Sequence, residues 1–228
     1  MKKVSVLMVA VLLLFGACRD EPGPSRSQAS GGSKTTAGII VAMGDSLTAG
    51  YGVAIEESYP ALLEKKLRAA GHSYQVINAG VSGETSSGAL SRLEWVLTMK
   101  PDIVILETGA NDGLRGIDPQ LAEDNIRKML TTLKERGITV VLAGMRMVRN
   151  LGPGYVARFN DIYPKLAGES DVVFMPFFLE GVAMVRQFNQ EDGIHPNPAG
   201  YGKIVENLFP YVVRAIEKRG ASPAAGSR

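Results

Sequence analysis

Cysteine and histidine are both scarce in this chain. The only thiol is that of Cys18, so an intramolecular disulfide framework and a zinc site built from several thiolates are excluded. There are two histidines, His72 and His195, so histidine-dependent chemistry has few candidates.

An excess of one charge is lacking as well. The chain has 25 Lys and Arg residues against 23 Asp and Glu residues, which gives a net charge of +2. It contains no block of five or more basic residues. Because proteins that bind nucleic acid concentrate positive charge on one surface, we predict no nucleic-acid partner.

The hydrophobic run at the amino terminus is too short to cross a bilayer. Met1-Lys2-Lys3 precedes a largely apolar run of about a dozen residues, from Val4 to Phe15, which ends in Gly16-Ala17. A membrane span needs roughly 20 such residues. A positive start, a short apolar centre and small residues at the end are typical of a secretory signal, so we expect the protein to be exported.

Cys18 follows these small residues directly, and this arrangement resembles the lipid-modified cysteine of a bacterial lipoprotein signal. The resemblance implies that residues 1–18 are such a signal, with a membrane anchor on Cys18 and a location in the periplasm or at the outer membrane. Phe15 stands three positions before the cysteine, where leucine is usual. Arg19 follows the cysteine, and in such signals the absence of aspartate at this position favours the outer membrane over the inner one. The alternative is an ordinary signal with a cysteine near its cleavage site.

The two ends of the chain that follow the signal are poor in large apolar residues. Residues 19–38 are rich in Ser, Gly, Pro and charge and nearly lack large apolar side chains, so we predict a flexible tether there. Residues 219–228 have a similar composition and are predicted to be a flexible tail. Between them, residues 39–218 have a normal length for one domain with a single hydrophobic core.

Short apolar runs alternate with segments of helical period throughout this domain. Strands are predicted at 39–43, 75–78, 102–107, 138–143 and 172–175, and helices at 59–70, from the turn at 79–86 to about 100, at 118–136, 155–167, 179–187 and 198–218. Because each crossover is helical, we expect a parallel sheet with right-handed connections. The polar turns that hold Ser46, Gly83 and Asn111 all follow strands, so they are expected at one edge of the sheet.

Ser46, Asp192 and His195 have the residue types of a nucleophilic triad. A serine hydroxyl needs a base within about 3 Å, and histidine is the usual base. Asp192 stands three positions before His195 in a glycine-containing turn, so it can orient the ring. His72 follows the end of a predicted helix, away from this edge, and is interpreted as a surface or capping residue.

Suitable donors for an oxyanion are the backbone N–H groups of Ser46 and Gly83 and the carboxamide of Asn111. Each of these residues alone also has an ordinary interpretation, as a capping serine, a turn glycine or an Asx-turn residue. Asp192 alone is equally consistent with a loop residue beside an exposed histidine. The G-x-S-x-G elbow is absent, which argues against the α/β-hydrolase fold.

Four sequence blocks together resemble the SGNH (GDSL) hydrolase family. They are Gly44-Asp45-Ser46-Leu47, Val81-Ser82-Gly83-Glu84-Thr85, Gly109-Ala110-Asn111-Asp112 and Asp192-Gly193-Ile194-His195-Pro196. Residues 78–79, 111–116, 163–167 and 176–178 resemble one branch of the family, that of secreted arylesterases and multifunctional acyl-thioesterase/lysophospholipases. The likeness covers about Ile40 to Val213.

This resemblance implies a flavodoxin-like three-layer α/β/α sandwich with a five-stranded parallel sheet. It implies Ser46 as nucleophile, His195 as base and Asp192 as the residue that orients the base. Ser46, Gly83 and Asn111 would form the oxyanion hole. No metal and no organic cofactor is implied.

Two loops are candidates for substrate binding. The resemblance implies a mobile specificity loop after Asn111, here residues 112–117, although Ala110 departs from the glycine of the branch. Residues 145–149 are rich in Met and Arg, and adaptable thioethers there either line an acyl pocket or fill the core. The candidate substrate contacts are Asp45, Asp112, Gly113, Leu114, Arg115, Met145 and Met147.

These features predict an exported serine esterase that hydrolyses short- to medium-chain acyl esters or thioesters, lysophospholipids among them, through an acyl-Ser46 intermediate. Its expected partners are a small acyl-ester substrate and, through Cys18, a membrane. One alternative is a carbohydrate or cell-wall O-deacetylase of the same family. The alternative from another class is a non-catalytic envelope lipoprotein that binds a ligand on a hydrolase scaffold.

Overall fold

The computed structural model describes residues 36–147 and 151–221, and its strands form one parallel sheet. The strands are β1 (Gly38–Gly44), β2 (Tyr74–Gly80), β3 (Ile103–Glu107), β4 (Thr139–Ala143) and β5 (Val173–Met175). Their order across the sheet is β2-β1-β3-β4-β5, and every neighbouring pair is parallel. This is the doubly wound order of flavodoxin-like folds.

Helices connect the strands. They are α1 (Ser46–Ala49), α2 (Tyr59–Ala69), α3 (Ser86–Ser91), α4 (Leu93–Leu97), α5 (Ala110–Leu114), α6 (Pro119–Glu135), α7 (Pro153–Glu169) and α8 (Pro198–Ala221). Short 3-10 helices cover Ile55–Glu57 and Arg186–Phe188. Helix α2 packs against α8, while α6 packs against both α3 and α7, so the sheet lies between two helical layers. The predicted three-layer α/β/α sandwich is confirmed.

The central strands are covered on both faces, which explains their nearly continuous apolar sequences. Residues 40–43 of β1 and all of β3 are buried. Edge strand β2 is less covered, with Tyr74 and Ala79 buried and Gln75 and Asn78 exposed. The apolar sequences of β1 and β3 are thus those of interior strands, and the strand pairing makes these two neighbours.

Several boundaries differ from the prediction. The helix predicted up to residue 100 is broken into α3 and α4 at Arg92, whose guanidinium turns inward to pair with the nearly buried Glu84. Helices α1 and α5 replace turns, and the predicted helix at 179–187 is reduced to the 3-10 turn at Arg186–Phe188. Helix α8 continues to Ala221, so the first residues of the predicted tail are helical.

Some predictions concern residues outside the described ranges. They are the signal with Cys18, nearly all of the tether, residues 148–149 of the Met- and Arg-rich loop, and residues 222–228 of the tail. Within residues 36–147 and 151–221, no helix combines the length and the apolar character needed to cross a membrane.

Candidate active site

The site lies where the winding of the sheet reverses. Strands β1 and β3 are neighbours, but the chain leaves them in opposite directions, to β2 and to β4. Crevices at the carboxyl ends of such strands are where open α/β sheets place their ligand sites. Ser46 directly follows β1, and Asn111 follows β3.

Ser46 is the first residue of α1, and Asp45 caps that helix. The Asp45 carboxylate accepts a hydrogen bond from the backbone N–H of Leu47 at 2.9 Å, as an N-cap residue does. Ser46 is about 9% exposed, and its Oγ lies 2.9 Å from Nε2 of His195. The hydroxyl is therefore within hydrogen-bonding reach of a base.

His195 is held by Asp192. The Asp192 Oδ2 lies 2.6 Å from Nδ1 of the imidazole, and Oδ1 accepts the backbone N–H groups of Ile194 and His195 at 2.9 and 3.0 Å. These bonds lower the pKa of Asp192 to about 2, the backbone bond from His195 being the largest cause. The carboxylate is thus ionised at neutral pH, which places the proton on Nδ1 and leaves Nε2 free to accept.

Tyr51 lies against the histidine, and the sequence analysis did not single it out. Its ring centroid is 4.6 Å from that of His195, with the two planes tilted by 41°. Gln190 connects the two segments, since its Nε2 donates to the backbone oxygens of Tyr51 at 2.7 Å and Pro196 at 2.9 Å. The sequence showed an aromatic residue five positions after Ser46, but nothing in its spacing indicated that it would contact His195.

The side chain of Asn111 is hydrogen-bonded to Asp45, the residue before the nucleophile. Its Nδ2 donates to Oδ2 of Asp45 at 3.0 Å. A carboxamide carries two N–H donors, so this bond orients the group and leaves its second N–H for another acceptor. The structure therefore brings Asn111 next to the turn that carries Ser46.

Gly83 lies in the turn after β2, with a positive φ of 77° that favours glycine. The neighbouring Val81 donates its N–H to the backbone oxygen of Gly44 at 2.9 Å, which fastens this turn to the end of β1. Arg115 donates to the Gly83 carbonyl at 2.7 Å. The Gly83 turn is thereby connected both to the nucleophile turn and to the loop after α5.

Two buried carboxyl groups lie behind the serine, and the sequence analysis missed one of them. Burial raises the pKa of Asp45 to about 6. Burial, followed by the nearby Asp45 charge, raises the pKa of Glu107 well above its usual range. Glu107 had been assigned simply to an apolar strand, although a carboxylate at the end of such a strand was a usable signal.

Several residues proposed as substrate contacts are buried instead. Asp45 and Met145 are nearly inaccessible, and Gly113 is covered by Met147. Asp112 is fully buried, and its carboxylate accepts both the backbone N–H and the hydroxyl of Ser86 at 2.7 and 2.6 Å. These four residues are covered by the protein, so the structure gives no support to their predicted role as substrate contacts, and that role stays a prediction.

The remaining candidates are accessible. Leu114 and Arg115 are exposed, and Met147 is half-buried. His72 precedes β2 at the opposite edge of the sheet, as the sequence indicated. Among the described residues, no three His, Cys, Asp or Glu side chains are grouped to hold a metal ion.

Comparison with known proteins identifies the family. The model of the GDSL-like Lipase/Acylhydrolase family matches residues 42–203. An arylesterase of Vibrio mimicus is 42% identical over 178 residues, covering 78% of this chain and 89% of the relative. The "Thioesterase 1/protease 1/lysophospholipase L1" of Escherichia coli K12 is 42% identical over 162 residues, covering 71% and 76% of the two chains.

A solved structure agrees with the sequence relatives. The crystal structure of the psychrotrophic esterase EstA from a Pseudoalteromonas species, inhibited by monoethylphosphonate, superposes with a TM-score of 0.75. It is 30% identical in sequence, and the match covers 79% of this chain and 99% of EstA. The resemblance noted in the sequence is confirmed: the chain belongs to the GDSL-like lipase/acylhydrolase family, the SGNH hydrolases, and is a serine hydrolase of ester bonds.

Proposed function

We propose that this esterase works through an acyl-enzyme on Ser46. The observation that carries the proposal is the continuous hydrogen-bonded series from Ser46 Oγ to His195 Nε2, at 2.9 Å, and from His195 Nδ1 to Asp192 Oδ2, at 2.6 Å. Nucleophile, base and orienting carboxylate in this geometry are the elements of serine-based acyl transfer.

The proton moves between two atoms of the protein and the substrate. As Oγ of Ser46 attacks the acyl carbonyl, Nε2 of His195 takes the hydroxyl proton and then gives it to the leaving alcohol or thiol as the acyl–oxygen or acyl–sulfur bond breaks. Water then attacks the acyl-Ser46 ester, His195 takes the water proton, and that proton returns to Oγ as the acid leaves. The ionised Asp192 stabilises the imidazolium in both halves.

The negative charge on the tetrahedral oxygen needs fixed donors. We assign them to the backbone N–H groups of Ser46 and Gly83 and to the second N–H of Asn111. Support comes from the bond that orients Asn111 on Asp45 and from the attachment of the Gly83 turn to Gly44. Such preorganised donors are a large share of catalysis in acyl transfer.

The proposed substrates are short- to medium-chain acyl esters or thioesters, including lysophospholipids. Relatives are named as an arylesterase and as a thioesterase and lysophospholipase, which supports both bond types. The accessible Leu114 and Met147 offer apolar contacts for an acyl chain, and the exposed Arg115 donates to the Gly83 carbonyl. A chain-length series of p-nitrophenyl esters and acyl thioesters measures this preference.

Replacement of the nucleophile tests the mechanism. Ser46→Ala should lower kcat for p-nitrophenyl butyrate by several powers of ten, because no other group takes the acyl chain. The exposed Ser73 provides the matched control, and Ser73→Ala should keep the parent's rate. Hydrolysis by purified Ser46→Ala at the parent's rate would remove the proposed acyl-enzyme.

We further propose that the protein is exported and anchored through Cys18, in the periplasm or at the outer membrane. The support is the sequence of the first 18 residues alone. Expression of the full chain with an alkyne fatty acid should label the parent and not Cys18→Ser. Equal labelling of the two proteins, or recovery of the unlabelled parent in the soluble fraction, would contradict the anchor.

A further inference from the structure

Glu107 is a fully buried carboxyl group that directly contacts the nucleophile turn. It ends β3, and its Oε2 accepts the hydroxyl of Thr48 at 2.8 Å and the backbone N–H of Asp45 at 3.2 Å. Thr48 belongs to α1, the helix that begins with Ser46. One oxygen atom therefore joins the end of β3 to both sides of the nucleophile.

The backbone makes room for this carboxyl at Gly44. A Cβ at that position would overlap the Thr48 hydroxyl, Oε2 of Glu107 and the Glu107 backbone oxygen. Gly44 thus allows β1 and β3 to approach while the carboxyl fits beneath the turn. The position of the Glu107 carboxyl is therefore fixed by the close packing of β1, β3 and α1 around it.

The surroundings of Glu107 favour its uncharged form. Its Oε1 is buried and has no hydrogen-bond donor among the described residues, and a buried anion with an unpaired oxygen is costly. The nearby negative charge of Asp45 acts in the same direction as burial, because two like charges close together disfavour the ionised form of Glu107. The other ionisable groups near it are the phenols of Tyr59, Tyr163 and Tyr201.

We propose that Glu107 is a positioning residue for acyl transfer and that it acts as a neutral carboxylic acid, which holds Asp45 and Thr48 in place behind Ser46. This inference rests on the proposed function of Ser46. Glu107 touches neither the hydroxyl that reacts nor the imidazole, so its effect passes through Asp45 and α1.

Asp45 transmits that position to the reacting groups. Its two carboxylate oxygens hold Leu47, next to the nucleophile, and Asn111, a proposed oxyanion donor. A shift of Asp45 would therefore move the attacking oxygen and an oxyanion donor together. Misplacement by about 1 Å can cost on the order of 100-fold in rate.

The test compares Glu107→Gln with Glu107→Met. A glutamine keeps an oxygen that can accept from the Asp45 backbone N–H and the Thr48 hydroxyl, and it carries no charge, so it reproduces the neutral acid. Methionine has a similar volume but lacks the acceptor. Rates for p-nitrophenyl butyrate are expressed per active site, counted by exhaustive fluorophosphonate labelling and intact mass.

We expect Glu107→Gln to keep kcat within about threefold of the parent. Glu107→Met should lose on the order of 100-fold in kcat with little change in KM. A parent-like kcat per labelled site in Glu107→Met would reduce Glu107 to a packing residue. A loss of kcat in Glu107→Gln as large as in Glu107→Met would show that an ionised carboxylate is required.

Two further outcomes remain decisive. If Glu107→Met does not fold, Glu107→Gln alone decides, since a required carboxylate predicts a large loss and a neutral acid predicts none. If the parent itself is neither labelled nor active, the proposed function fails, and that result is distinct from any difference between the variants.

Discussion

At the scale of the residue, acyl transfer by Ser46 depends on which nitrogen of His195 carries the proton. Asp192 accepts from Nδ1 and is ionised at neutral pH, so Nε2 faces Ser46 without a proton. Ring orientation alone would not achieve this, because a neutral imidazole can place its proton on either nitrogen. Asp192 is thus expected to matter through its hydrogen bond as well as through its charge.

Asp192→Asn separates these contributions. The carboxamide would present an N–H to Nδ1 and favour the ring form with its proton on Nε2, which cannot accept the serine proton. We expect a loss in kcat on the order of 10⁴-fold, the size known for this change in serine triads. Glu191→Gln, a neutralisation in the same loop, should leave kcat near the parent's, and an equal loss in both variants would contradict the role of Asp192.

Asn111→Ala tests the proposed oxyanion donor. Loss of a donor that strengthens in the transition state should lower kcat by about 100- to 1000-fold with KM little changed. The control is Asn207→Ala in α8, which removes a carboxamide that donates a hydrogen bond to the backbone carbonyl of Glu180. This variant should keep the parent's kcat. A loss confined to KM would instead make Asn111 a substrate-binding residue.

At the same scale, the sequence was sufficient to pair Ser46 with Asp192 and His195. A scarce residue type made this possible, since only one of the two histidines stood beside a carboxylate. Glu107 and Tyr51 could not be found in the same way, because their importance comes from contacts across the sheet and across the loop. The burial of Asp112 had no signal in the sequence either, because its neighbour Asn111 is accessible while Asp112 itself points into the core, onto Ser86.

At the scale of the element, glycine decides how closely β1 and β3 can approach. Gly44→Ala should place a methyl group against Thr48 and Glu107, and overpacking of this kind costs about 1–3 kcal/mol. We expect both a lower Tm and a lower kcat, measured by thermal unfolding and ester hydrolysis. Unchanged values of both would contradict the close contact between the strand ends.

Gly202→Ala in α8 is the matched control, with the opposite expected sign. A Cβ at Gly202 meets no atom within 4 Å, and the position has ordinary helical φ. Alanine in a helix interior is favoured over glycine by about 0.5–1 kcal/mol, so Tm should rise by a few degrees while kcat stays at the parent's value.

The elements were predicted well where local pattern decides and poorly where long-range contacts do. Asp118 and Pro119 begin α6 as their types indicate, with Oδ1 of Asp118 accepting the Gln120 N–H. The break at Arg92 had no local signal, since it follows from the pairing of Arg92 with Glu84 and with the Gly44 carbonyl. Helices α1 and α5 are each about one turn long, below the length at which hydrophobic period can be recognised.

At the scale of the whole molecule, the buried acids make stability depend on pH. The raised pKa of Glu107 means that the folded protein keeps a proton that the unfolded chain loses above about pH 4.3. Stability therefore falls as pH rises through this window, by about 1.4 kcal/mol per pH unit from this group, until the raised pKa is passed. Asp45 acts in the same sense between its ordinary value and about 6.

Glu107→Gln removes the Glu107 contribution. The stability of the variant relative to the parent, from urea unfolding, should increase from pH 5 to pH 8. The same measurement on Glu191→Gln, at an exposed position, controls for the exchange of a glutamate for a glutamine. A constant difference for Glu107→Gln would mean that Glu107 has the same charge in the folded and unfolded states.

The arrangement of the whole sheet was predicted from alternation, but the position of the site within it needed the strand order. Alternating strands and helices indicated a parallel sheet, and the turns after strands indicated one edge. Only the order β2-β1-β3 explains why the turns that follow β1 and β3 meet, because these strands are adjacent although 58 residues separate Gly44 from Ile103.

The most direct measurement of the central claim is the mass of the intact protein after exposure to a fluorophosphonate. We expect one phosphonyl adduct per chain, on the peptide that contains Ser46, and no adduct in Ser46→Ala or in the parent unfolded by urea. An adduct on another residue, or a parent that hydrolyses esters while Ser46 stays unmodified, would contradict it.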